Sequence, residues 1–353
     1  MRRAVNGTDR ECQVEPAISN QSERRSSVLR GGVAYGPPAE YSSGRYLREN
    51  LLEISHGTDD VTERRVVALI VTFRRREDLL RTLDSVRAQT SAVCQVVVVD
   101  NSPERECSSY LSNVEGVQLL SSGQNLGFSG GLHYGLIDIL GQGQADLVWI
   151  LDDDSPVAPD SLARGLATLS KLPAASSLSN RGFVFRWTGI YTTPGGEAAE
   201  PVEAALVDGG IFPVEVIKNA GPPRTDFFMM FEDADFTLRM GRAGSQIFIS
   251  DAVRSTALHR GSSGISGSEW RAYYQTRNSV RSALDLRHRK LLVASLARFS
   301  KQMAWAAFHG GDKRGRLMAL RVKGLHNALT GVMGITVHTD SASGQGSRSR
   351  RLA

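Results

Sequence analysis

From Val66 to Leu151 the chain alternates between short apolar runs suited to buried strands and longer segments with helical spacing. VVALIVTF is followed by REDLLRTLDSVRAQT, in which Leu79, Leu80, Leu83 and Val86 share one helical face. QVVVVD and VQLLSS read as two further strands, LHYGLIDIL as a helix after NLGFSGG, and LVWIL as the next strand. Strand and helix alternating at this spacing predict an α/β fold with a mostly parallel sheet flanked by helices. In such sheets ligands collect beyond the carboxyl ends of the strands. Thr72 to Arg74, Asp100 to Ser102, and the triplet Asp152, Asp153, Asp154 all carry that address.

The triplet is the sharpest feature. Three adjacent carboxylates at a strand end repel one another unless a cation offsets them. A helix N-terminus would favour acids there, but Ser155 or Asp160 could cap PDSLARGLATL alone. Oxygen-rich clusters suit a hard divalent cation, Mn²⁺ or Mg²⁺, which commonly bridges to substrate phosphates.

Other segments add candidates. Gly127, Gly130 and Gly131 in GQNLGFSGGLHYGL would let the backbone approach a ligand, although the spacing matches neither GxGxxG nor a P-loop. Asp100 in VVVVDNS could accept from a ribose or base, or simply start a turn. In FFMMFEDADF, Glu232, Asp233 and Asp235 interrupt an apolar, aromatic run. Desolvation there would raise a carboxyl pKa and improve it as a proton acceptor, and Asp233 is the expected base. His259, in STALHRGSSG, becomes a candidate metal ligand beside the Asp cluster. ALVDGGIFP reads as one strand and VEVIKNA as a short helix. KLPAASSLSNRGFVFRWTGIYTTPGGEAAEP holds no motif.

The order VVALIVTFRR, VVVVDNS, NLGFSGG, WILDDDS, FFMMFEDADFTLR, LH and YYQTRN resembles the family 2 glycosyltransferases of GT-A fold. Within them it is most similar to bacterial rhamnosyl- and galactofuranosyltransferases of cell-surface glycans. The resemblance runs from about Val66 to Asn278. It implies inverting, metal-dependent transfer from a nucleotide-diphosphate sugar, dTDP- or UDP-linked, to the hydroxyl of a glycan, lipid-linked or small-molecule acceptor. By position it assigns Thr72, Arg74, Asp100, Asn125, Asp152 and Asp153 to the donor, and Asp152, Asp154 and His259 to the metal. Asp233 matches the general base, with Glu232 beside it. Phe231, Tyr274, Arg277 and Asn278 are candidate diphosphate or acceptor contacts, and Trp187 and Phe231 candidate sugar-stacking rings. Rival readings are glycosylation of a secondary metabolite, a nucleotidyltransferase and an inactive sugar-nucleotide binder. The turn VTFRRRED lacks the glycines of a nucleotidyltransferase.

The expected organisation is a mostly disordered tail over 1–63, with a short helix in YLRENLLEI. A catalytic domain follows over 64–265, divided into a nucleotide-sugar half (64–155) and an acceptor half (156–265). A basic helical extension covers 266–335 and a disordered tail 336–353. The formal charge is only +5, yet thirteen Lys/Arg face two acids between Arg271 and Lys323. That block suits an anionic membrane surface, with Trp305 and Phe308 at the interface, better than nucleic acid, for which no known module appears. LLVASLARFSKQMAWAAF is interrupted by Arg298 and Lys301 and falls short of the roughly 20 apolar residues of a membrane span. MRRAVNGTDRECQVEP has no apolar core, so no signal peptide is expected. Cys12, Cys94 and Cys107 lack metal-ligand spacing and read as reduced thiols. These features predict a cytoplasmic protein, with peripheral attachment to the inner face of the membrane.

Overall fold

The computed structural model describes residues 64–255 and 269–338, all within one compact unit spanning Asp60–Ala353. His259, the YLRENLLEI helix and both tails beyond these bounds lie outside the described residues.

The alternation produces the first half of the fold. Strands β1 (Val66–Thr72), β2 (Gln95–Asp100), β3 (Val117–Ser121) and β4 (Leu147–Asp152) are mutually parallel. Helices α1 (Arg76–Arg87), α2 (Ser108–Leu111) and α3 (Gly127–Gln142) connect them. After α4 (Ser161–Leu169) come β5 (Ser177–Ser179), the hairpin β6 (Arg181–Arg186) and β7 (Gly189–Pro194), β8 (Glu200–Val202), β9 (Ala204–Ala205) and β10 (Ile211–Pro213). Helices α5 (Val214–Ala220) and α6 (Glu232–Arg242), then β11 (Ile247–Ile249), complete this part. The main sheet has the order β3-β2-β1-β4-β10-β5-β11-β8, and β7-β6-β9 form a small second sheet.

β1 is buried along its whole length, as an inner strand covered on both faces must be. Its alternate side chains feed two cores. Val66, Ala68 and Ile70 pack with Leu79, Leu83 and Val86 of α1, whereas Val67, Leu69 and Val71 pack with Leu132, Leu136 and Ile139 of α3. The parallel register pairs Thr72 with Asp100 and Val71 with Asp152, so the strand ends meet at one edge.

Two local expectations are revised. ALVDGGIFP is not one strand; it breaks between β9 and β10 at a turn where Gly209 has φ +75°. The Gly-rich segment is not an open loop before a helix, because α3 begins at Gly127 and its glycines face protein. A Cβ on Gly131 would lie 2.5 Å from Val71 Cγ1, and one on Gly127 only 2.0 Å from the Phe228 carbonyl oxygen. These glycines press α3 onto the sheet and onto the loop before α6.

The basic extension forms α7 (Trp270–Asp285), α8 (Arg289–His309) and α9 (Arg314–Thr330). α7 packs against both α8 and α9, and α8 also covers β6 and β7. Among the described residues no helix is long and apolar enough to cross a membrane.

Candidate active site

Three segments deliver carboxylates to the edge beyond β4. The triplet ends β4, Asp208 stands in the β9–β10 turn, and Glu232 and Asp233 open α6. Asp208 has no counterpart among the sequence-predicted residues. One of its carboxylate oxygens accepts the Asp152 backbone N–H at 3.0 Å. The other accepts the hydroxyls of Ser155 at 3.0 Å and Ser255 at 2.7 Å. It thus ties the triplet to Ser255, which pairs with Val157 in an isolated bridge. The only available signal was an acid beside two glycines inside an apolar run, which a straight-strand reading hides.

The members of the triplet have different surroundings. Asp153 is buried, accepting from Thr72 Oγ1 at 2.9 Å and from the Phe73 N–H at 3.4 Å. Arg75 Nη1 donates to Asp153 Oδ1 at 3.3 Å and to Asp154 Oδ2 at 2.8 Å. Arg75, absent from the expected set, is therefore one cation that offsets the triplet. Thr72 and Asp153, both expected at the donor, thus bind each other and brace the β1–α1 turn. Asp152 differs: its carboxylate has no hydrogen bond or ion pair among the described residues. Asp160 precedes α4 without capping it, so helix capping does not account for the acids.

Burial dominates the electrostatics. It pushes Asp152 well above the ordinary carboxyl range, and the charges of Asp208, Asp233, Asp153 and Asp154 add to the rise. Asp153 rises to about 6 through burial, with Arg75 opposing. Asp208 is raised by burial against the bonds it accepts. Asp233 is raised to about 7 by burial and by Asp208, although the Val207 N–H donates to its Oδ1 at 3.3 Å. Glu232 is raised well above its usual value by burial and then by Asp233, with Arg271 opposing; its buried Oε2 has no hydrogen-bond partner among the described residues. Arg271, near the start of α7, is itself held low by burial and by neighbouring Arg75. The edge thus combines an excess of desolvated carboxyls with two guanidinium groups.

Other expected residues fall elsewhere. Asp100 is fully buried and accepts from the N–H and hydroxyl of Ser102 and the N–H of Cys107, the ordinary work of a turn. Arg74 pairs with Glu104. Asn125 Oδ1 accepts the Gly127 N–H at 2.9 Å where α3 begins. Phe231 is buried against Phe183, whereas Trp187 is 81% exposed at the tip of the β6–β7 hairpin. Tyr274, Arg277 and Asn278 are fully buried, and their polar atoms bind backbone of the chain itself. Direct contact of these three with a diphosphate or acceptor is therefore corrected to a role within the protein. Among the described residues no three His, Cys, Asp or Glu side chains form a ready-made metal cage.

Residues 67–210 match the family described as glycosyl transferase family 2. The chain is 32% identical over 204 residues to the galactofuranosyltransferase GlfT1 of Mycobacterium tuberculosis, covering 51% of this chain and 65% of that protein. It therefore spans just under two thirds of that relative's length. It is 26% identical over 258 residues to the low-salt glycan biosynthesis hexosyltransferase Agl10 of Haloferax volcanii, covering 67% of this chain and 76% of that protein. The fold is similar to that of GalNAc-T7, solved with UDP, GalNAc and Mn²⁺, at a TM-score of 0.50 and 14% identity. That likeness covers 76% of this chain and 56% of the other.

Proposed function

We propose that this chain, whose residues 67–210 match glycosyl transferase family 2, is an inverting transferase moving a sugar from a nucleotide-diphosphate donor to an acceptor hydroxyl. The observation that carries this reading is the convergence of desolvated carboxyls from β4, the β9–β10 turn and α6 at one sheet edge. A raised pKa near 7 suits Asp233 to proton transfer at neutral pH. Its deprotonated form accepts the acceptor hydroxyl's proton as that oxygen attacks from the face opposite the diphosphate, so the anomeric centre inverts. Glu232 beside it orients the acceptor.

A divalent cation fits the residues present, because Asp152 combines a carboxylate with no partner among the described residues with the crowding of four other acids. Asp152 and Asp154 would hold Mn²⁺ or Mg²⁺, with His259 as a third ligand proposed on sequence grounds. The bound cation would neutralise charge developing on the departing diphosphate. Arg75 and Arg271 supply positive charge to the same edge, while Thr72, Arg74, Asp100 and Asn125 line the nucleotide side through the turns they build.

The galactofuranosyltransferase relatives favour UDP-galactofuranose as donor, with dTDP-rhamnose the second choice, and a cell-surface glycan or its lipid-linked precursor as acceptor. Peripheral membrane attachment belongs to the same proposal. Val293, Leu296, Trp305 and Phe308 are exposed on α8 near Lys301, Arg289 and Lys290, a mixture suited to an anionic bilayer surface. Thermal-shift screening of nucleotide sugars tests the donor class. A Mn²⁺-dependent rise in melting temperature with UDP-galactofuranose or dTDP-rhamnose is expected; no response to any nucleotide sugar contradicts it.

A further inference from the structure

The segment Asp226–Phe231, which delivers Asp233, has an unusual backbone. Phe228, Met230 and Phe231 have φ of +64°, +71° and +73°, the left-handed region that side chains with a Cβ rarely occupy. Such a conformation persists only where its surroundings over-determine it. Here residues of two helices, α3 and α7, bond to it.

From α7, Asn278 Nδ2 lies within donor distance of three carbonyls: Phe227 at 3.1 Å, Met229 at 3.0 Å and Met230 at 2.7 Å. Its Oδ1 accepts Arg277 Nε at 2.8 Å, which turns the amide nitrogen toward the segment. Arg277 Nη2 donates to the carbonyls of Asp226 at 3.2 Å and Phe227 at 3.0 Å, and Nη1 to that of Gly334 at 2.6 Å. Both side chains are fully buried, and the guanidinium lies against the rings of Tyr273 and Tyr274. From α3, the Ser129 N–H donates to the Phe228 carbonyl at 3.2 Å, and its hydroxyl donates to the Arg224 carbonyl at 2.6 Å. α7 reaches the following helix as well, where Ser282 Oγ donates to Asp235 Oδ1 at 2.8 Å.

We propose that Asn278, oriented by Arg277, is a positioning residue for Asp233: its amide holds the left-handed backbone of residues 228–231 and so sets the direction in which α6 presents the base. YYQTRN is then a clamp on the base-bearing segment. A buried guanidinium satisfied by carbonyls, with no carboxylate bonded to it among the described residues, is an expensive arrangement, and fixing a strained backbone accounts for it. The proposal rests on Asp233 acting as the base of the transfer reaction.

The test uses the full-length chain with Asn278→Asp and Asn278→Ala. Aspartate keeps the volume but offers oxygens where three carbonyls need a donor. Three quantities are read: hydrogen exchange across residues 226–235, affinity for UDP with Mn²⁺, and kcat and KM with UDP-galactofuranose. Expected for Asn278→Asp are exchange in 226–235 faster by about tenfold with β1–β4 unchanged, UDP affinity within about twofold, and kcat lower by about thirtyfold at unchanged donor KM. Asn278→Ala should be no worse than the isosteric aspartate. Ser129→Ala, a milder release from the α3 side, should show the same pattern at about threefold in kcat, and it serves if the Asn278 variants fail to fold. Wild-type exchange and kcat in Asn278→Asp or Ser129→Ala overturn the proposal, as does a loss shared equally by UDP affinity and sheet protection. If the wild-type chain turns over no nucleotide sugar, the transferase reading fails, while local exchange still decides whether the clamp exists.

Discussion

Replacing Asp233 with asparagine should stabilise the protein, and increasingly so as pH rises. The Asp233 carboxyl is raised from 3.8 to about 7 in the folded chain by burial and by Asp208. A carboxyl with a raised folded pKa binds more protons folded than unfolded, so stability falls as pH rises from about 4 through about 7. About three units at ~1.4 kcal/mol each give a ceiling of about 4 kcal/mol above pH 7. Water reaching the partly exposed side chain screens some of this, so about 2–4 kcal/mol is the expected gain on neutralisation. Asparagine keeps the shape, and its Oδ1 can still accept the Val207 N–H. At 2–4 °C per kcal/mol for a domain of this size, Asp233→Asn should melt at least ~4 °C above wild type at pH 8. Below pH 4 the two should converge. Scanning calorimetry from pH 4 to 8, without nucleotide or metal, measures the difference. Equal melting temperatures at pH 8, or a variant less stable there than wild type, would refute the electrostatic account of the site.

Three further perturbations probe other parts. Asp208→Ala removes the acceptor shared by the Asp152 N–H, Ser155 and Ser255, and should weaken Mn²⁺-dependent UDP binding about tenfold by calorimetry while circular dichroism is unchanged. Gly127→Ala sets a Cβ 2.0 Å from the Phe228 carbonyl oxygen at φ +70°, and should cost about 2–4 kcal/mol in urea unfolding. Phe308, 79% exposed on α8, should matter for lipid: Phe308→Ser should reduce co-sedimentation with anionic vesicles about fivefold at unchanged melting temperature.

Much of the first half of the fold was readable because burial imposes period and length directly. VVALIVT, QVVVVD and LVWILD became β1, β2 and β4, and parallel pairing brought their ends to the edge where the triplet stands. The desolvation of Asp233 was equally legible, since its acid interrupts an apolar, aromatic run. Asp208 was not, because a turn placed between two short strands looks, in sequence, like one continuous strand. Arg277 and Asn278 misled in the other direction. A charged residue and an amide suggest a ligand, but whether they face solvent or backbone carbonyls depends on α7 packing against a segment about fifty residues earlier. Arg75 was passed over for Arg74 because nothing in VTFRRRED distinguishes the arginine that turns toward Asp154 from the one that pairs with Glu104.

Sugar transfer with Asp233 as the base must release a nucleoside diphosphate from the donor. The direct measurement is UDP release from UDP-galactofuranose, or dTDP release from dTDP-rhamnose, by purified full-length protein with Mn²⁺ and an alkyl galactofuranoside as surrogate acceptor. Metal-dependent release is predicted for the wild type, falling by about a hundredfold or more in Asp233→Asn while nucleotide affinity stays within about threefold. Near-wild-type release by Asp233→Asn, or release by the wild type unaffected by EDTA, would contradict it.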